Sequence, residues 1–357
     1  MPIEARRAFR LAISVTLSLI AAYGLAMPLP YLAPVLALGL GSALNAPIAA
    51  KNLIGLLLVV ALCTSIGIGL SPLLINYPVS AILLVALILF LANSIAIGGG
   101  KALAGLLLTV GAAMISAAAV ASSALAKGVI VALMTGVTIA VISHGLACLL
   151  LPELARDTST GGRAPSDDLQ TRTSSDTRWL AVRATLILMP AYFMVLVNPS
   201  AYMPLILKSA NLGQQVSGID ARSVARELLL STALAGIFAI AFWFVLKVCP
   251  SLWFFGLWTL LFLTYIGAKL HGALTSAYSP SFWQGVGIQM FILLGPAVQD
   301  SANGNDVYQA FIVRFSIFLV VTLYAVTAVW LLDGWRRRRA QRRPVSASVP
   351  ASILGAV

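Results

Sequence analysis

The sequence predicts an all-α, polytopic membrane protein of about twelve transmembrane helices, built as two parallel six-helix repeats. Three observations carry this. The 357 residues are 60% hydrophobic and 10% charged, whereas soluble domains average about 25% charged residues. A chain so poor in charge cannot cover a water-facing surface. Apolar windows of bilayer length recur in two groups, one on each side of a polar stretch. The Lys and Arg residues fall at the window ends in a one-sided pattern. About twelve spans of about 20 residues occupy about 240 positions, which leaves no room for a soluble nucleotide-hydrolysing domain. No Gly-rich phosphate loop ending in Lys-Ser or Lys-Thr occurs either.

The first window, near 8–27, follows a basic start (Arg6, Arg7, Arg10) that imitates a signal peptide. Its apolar part, Leu11 to Met27, is long and lacks a clear A-x-A site, so it reads as an uncleaved span. Windows near 31–48, 52–71, 77–97, 102–122 and 129–151 complete the first repeat, residues 1–151. Residues 152–178 are rich in Ser, Thr, Asp, Arg and Gly and read as a solvated linker. Windows near 179–198, 201–216, 224–247, 250–270, 282–299 and 308–332 form the second repeat, 179–333. A basic tail, 334–357, carries RRRRAQRR at 336–343.

Positive loops are retained in the cytoplasm. With the N-terminus inside, nineteen of the 23 basic residues lie on cytoplasmic segments, Lys127 and Lys247 lie outside, and Lys208 and Arg314 fall in or at the edge of a window. The net charge of +12 is thereby a topological marker and not a nucleic-acid footprint. Both termini and the linker are expected in the cytoplasm, the protein in a bacterial inner membrane, and the bilayer as its first partner. Cys63, Cys148 and Cys249 show no CxxC spacing and read as reduced packing residues, with no metal site.

The halves correspond at an offset of about 171 to 175 residues. Pro28 and Tyr31 match Pro199 and Tyr202; Pro78 with Phe90-Leu91 matches Pro250 with Phe262-Leu263. Arg10 pairs with Arg183, and Lys51 with Arg226. An even number of spans per repeat makes the copies parallel. The second window of each half is interrupted: 31–48 carries Pro34, Gly39, Gly41 and Pro47, and 201–216 carries Pro204 and Gly213. Paired, interrupted segments of this kind point to a transporter's substrate site, or else to marginal helices at the periphery.

Polar residues at membrane depth are few, and each is a candidate for function. Lys208, Asn211 and Gln214 form an i, i+3, i+6 series that suits an anionic substrate through charge-assisted hydrogen bonds. The plainer reading is a lysine that snorkels to the surface. Asn45 takes the comparable place in the first half, and Asn93 lies within the fourth window; both also serve as helix-to-helix glue. His144, the one histidine deep in a window, is a candidate proton relay or a satisfied core residue. His271, beside Lys269, reads as interfacial. No Asp or Glu falls deep inside a window; Glu227 lies in the first turn of its window, and Glu153, Asp220 and Asp333 lie beyond the ends. No catalytic set is formed, so no enzyme activity and no cofactor are expected. The runs GGGKALAG at 98–105 and GAAMISAAAVASSALAKG at 111–128 permit close helix packing or a homo-oligomer face.

The segment RAFRLAISVTLSLIAAYGLAMPLPYLAPVLALGLGS, followed by KNLIGLLLVV, resembles the fusaric-acid-resistance and aromatic-acid-exporter superfamily, and within it a compact bacterial branch. The matching positions are Arg10, Pro28, Pro30, Lys51 and Gly55. The resemblance implies an inner-membrane permease that exports aromatic or other small organic acids, often with a periplasmic membrane-fusion adaptor. A linker of only about 27 residues and Lys51, where Arg is usual, depart from that pattern. A passive anion channel, or a structural subunit of a larger efflux assembly, is the alternative.

Overall fold

The computed structural model describes residues 2–43, 50–99, 102–152, 174–215, 221–302, 304 and 306–341. Among them there are twelve helices and no strand. The first six are α1 (Ile3–Gly24), α2 (Leu32–Ala43), α3 (Ala50–Asn76), α4 (Pro78–Gly98), α5 (Ala102–Ala121) and α6 (Ser123–Leu150). The others are α7 (Ser174–Val197), α8 (Pro199–Gln215), α9 (Ala221–Val248), α10 (Leu252–Leu270), α11 (Pro280–Ala302) and α12 (Val307–Gln341). Ten of these are long and apolar enough to cross a bilayer. The chain is a multi-pass α-helical membrane protein.

Local chemistry sets the helix ends. Pro78 opens α4 at a position whose N–H has no intrahelical acceptor, so the missing donor costs nothing. Ser122 and Ser251 cap α6 and α10, their hydroxyls accepting from the N–H groups of Ala124 and Phe254. Helix α7 starts at Ser174, inside the segment 152–178 expected to be linker, with Asp176 in its first turn, where the helix dipole favours an acid. Helix α12 likewise runs past the expected boundary at 333 into the basic tail, as far as Gln341. Arg has good helix propensity, so the polar tail prolongs the helix beyond the apolar window.

Within the described residues the second window of each half is not broken, contrary to expectation; Pro47 lies outside them. Pro34 sits in the first turn of α2, where it is tolerated, and α2 and α8 are each continuous. Their described parts, 12 and 17 residues, extend about 18 and 26 Å. They are also central and not peripheral. Residues 32–38 and 203–213 are buried throughout. Helices α1, α6 and α11 enclose α2; α7, α11 and the middle of α5 enclose α8. Around these two helices, α11 is the most enclosed spanning helix, with 83% of its window buried, whereas α3 and α12, at 28%, face outward.

Small residues set the closest approaches. A Cβ on Gly67 of α3 would stand 2.1 Å from the carbonyl oxygen of Gly111, and one on Gly111 would stand 2.3 Å from that of Cys63. Backbone thus meets backbone where α3 crosses α5. At that crossing α5 is wound as a π-turn over Val110–Ile115, a local widening found mostly as single turns inside α-helices. Helix α1 packs on α10, and α4 on α7.

Candidate functional site

Lys208 lies on the buried face of α8 and is fully inaccessible to solvent. It does not snorkel. Its Nζ donates to Oγ1 of Thr232 on α9 at 3.0 Å and to Oε1 of Gln289 on α11 at 2.9 Å. The ring of Phe318 on α12 lies 4.8 Å from Nζ, a cation–π distance. Thr232 is also within 3.2 Å of the Thr322 hydroxyl on α12 and donates to the Leu228 carbonyl. Four helices therefore converge on one amine, and every described group that holds it is neutral. Among the described residues no carboxylate pairs with it. Among the described residues the Nε2 of Gln289 is buried without a partner, as is the Ser209 hydroxyl on the next residue of α8. A second donor thus lies beside the amine.

Asn211, one turn beyond Lys208, is buried as the series requires. The side chain of Gln214 and the whole of Asn45 lie outside the described residues. His144 is buried in α6, its Nε2 3.6 Å from Sγ of Cys148. It belongs neither to the cage around Lys208 nor to the cavity described next. Asn93 is glue: its Nδ2 donates to the Leu89 carbonyl at 2.9 Å and to Oγ1 of Thr185 at 3.2 Å, tying α4 to α7.

A cavity of about 400 Å³ opens between the α1–α2 turn, the start of α8, the end of α11 and the start of α12. Its polar lining is Tyr31, Ser200, Gln299, Asp300 and Arg314. Asp300 and Arg314 form an ion pair and are partly exposed, at 14% and 22%. Nε2 of Gln299 donates to the Pro28 carbonyl at 3.1 Å, which fixes the rim. The Tyr31 side chain is buried. Lys208 does not line this cavity, although Met203 and Pro204 of the same helix do.

The expectation that acids stay out of the membrane helices needs correction. Asp300 falls in the last turn of α11 and Asp333 within α12. Asp333 accepts two hydrogen bonds from Nη1 of Arg183 on α7, at 2.8 and 3.0 Å. The apolar windows ended one residue before Asp300 and at 332, so both acids fell just outside. Their basic partners, Arg314 fourteen residues after Asp300 and Arg183 at the other end of the second half from Asp333, were the signal available.

The structure defines a multi-pass helical membrane protein with a caged lysine amine at its core, held by neutral groups among the described residues. A family model described as a protein of unknown function (DUF2955) matches residues 7–147. No curated protein and no solved structure matches the chain.

Proposed function

We propose that the protein is a bacterial inner-membrane permease that exports small organic anions, aromatic carboxylic acids among them, with a periplasmic adaptor as partner. The observation that carries this reading is the fully buried Lys208 amine with only neutral partners among the described residues. A charge taken out of water costs several kcal/mol unless an opposite charge compensates it. A carboxylate arriving at this site supplies that charge, together with charge-assisted hydrogen bonds. Intramembrane ionisable groups mark substrate pathways for the same reason. Gln289, with its amide donor, and Thr232 would orient the anion. Phe318 against the amine interrupts any continuous hydrophilic pore there, which favours a transporter over an open channel.

The finer architecture belongs to the same proposal. Under the repeat offset, the contact of α1 with α10 is equivalent to that of α7 with α4. Arg10 and Arg183 are both buried, and the family match covers one six-helix unit. These support two parallel repeats with both termini in the cytoplasm. The test is a sensitivity screen against aromatic acids in a strain lacking the protein, restored with the wild type or with Lys208→Met. Hypersensitivity to at least one acid, restored by the wild type alone, is expected. Unchanged sensitivity to every acid would overturn the reading.

A further inference from the structure

The cavity and the caged amine lie on the same helix faces. On α12, Arg314, Phe318 and Thr322 follow at four-residue intervals and share one face. The first lines the cavity; the other two touch the cage of Lys208. On α8, Pro204 lines the cavity and Lys208 follows four residues later. On α11, Pro296 lines the cavity and Gln289 lies seven residues before it. These separations correspond to about 6 and 10 Å along the helix axes. Three helices thus place the cavity directly over the amine, with Phe318 at the level between.

We propose that this cavity is a carboxylate-binding vestibule in series with Lys208, in which Arg314 receives the substrate carboxylate and Asp300 is the built-in competitor that it displaces. The inference rests on the exporter reading of Lys208. A guanidinium presents a fork of donors that suits a carboxylate, and Asp300 now holds one arm of it, Nη1. A substrate carboxylate is chemically the same ligand, so the two exclude one another. Because both partners reach solvent, exchange strands no charge in a dry interior. Tyr31, Gln299 and Ser200 add polar contacts, while Pro28, Leu29 and Pro296 give apolar walls for an aromatic ring. Asp300 keeps the affinity low, which suits a station that must also release its ligand.

The test is equilibrium binding of radiolabelled benzoate to the full chain in lipid nanodiscs, at low salt, alongside benzoate efflux from proteoliposomes. Asp300→Asn removes the competitor and is expected to bind about 5-fold tighter than wild type. Arg314→Gln is expected to lose the vestibule component of binding and keep only that of Lys208, and Arg314→Lys, which keeps the charge without the fork, to weaken the vestibule component. Lys208→Met is expected to retain the Arg314-dependent binding while abolishing efflux. Unchanged or weaker binding by Asp300→Asn, or undiminished binding by a folded Arg314→Gln or Arg314→Lys, overturns the vestibule. Lys208-dependent efflux with binding indifferent to Arg314 removes the vestibule and leaves the exporter standing. The expected binding pattern without efflux of any acid removes the exporter and leaves an anion site.

Discussion

Lys208 and Gln289, 81 positions apart in sequence, meet at 2.9 Å in the bundle core, where the amide oxygen accepts from a fully buried amine. The two are not equivalent to remove. Lys208→Met removes the buried amine, which offsets the cost of leaving the Gln289 oxygen without its donor, so thermal stability in detergent should hold. Gln289→Leu keeps the amine and removes an acceptor, which should cost about 1–3 kcal/mol. Thr232→Val should act in the same direction, since Thr232 accepts from Lys208 and meets Thr322. Melting of the three variants checks the ordering.

Arg183 and Asp333 fasten α7 to α12 near the ends of those helices, with Arg183 2% and Asp333 15% exposed. Asp333→Ala takes the carboxylate away from a buried guanidinium and should destabilise by about 3 kcal/mol. The double variant Arg183→Met with Asp333→Ala should lose less than the two single losses combined. A double-mutant cycle on melting in detergent measures the coupling.

Where α3 crosses α5, Gly67→Ala would drive a methyl to within 2.1 Å of the Gly111 carbonyl oxygen. Backbone cannot give way as a flexible side chain can, so a loss of about 3 kcal/mol is expected. Gly69, two residues on, has nothing within 4 Å of its would-be Cβ. Gly69→Ala should stay within about 0.5 kcal/mol of the wild type, and the pair of melts separates contact from helix propensity.

His271 follows α10 and is held at a pKa of about 4 by burial first, then by Arg7 and Arg10 of α1. The unfolded imidazole titrates near 6.5. Below that value the unfolded chain takes up a proton that the folded chain refuses, so stability falls as the pH drops from about 6.5 towards 4. Above about 6.5 the residue contributes no pH dependence. His271→Gln should flatten this part of a melting-temperature profile recorded between pH 7 and 4.5.

The helices were legible in the sequence because apolar length alone specifies a bilayer span: windows and helices agree to within a few residues over most of the chain. Failures came where another term competes with apolarity. The polar starts of α7 and the basic end of α12 are helical for reasons of capping, dipole and propensity. Pro34 did not break α2 because it sits in the first turn. Lys208 was visible as a lone charge in a short segment, but its cage was not. Thr232, Gln289, Phe318 and Thr322 come from three later helices, and nothing local distinguishes them from other polar or aromatic residues in spans. The Arg314–Asp300 pair was missed because each residue alone resembles a span-end charge.

The central claim is that the amine of Lys208 binds the transported anion, and benzoate counterflow in proteoliposomes tests it most directly. Wild-type protein preloaded with unlabelled benzoate should accumulate external labelled benzoate. Lys208→Met, folded by its melting profile, should not. Equal counterflow by the two proteins would contradict the account.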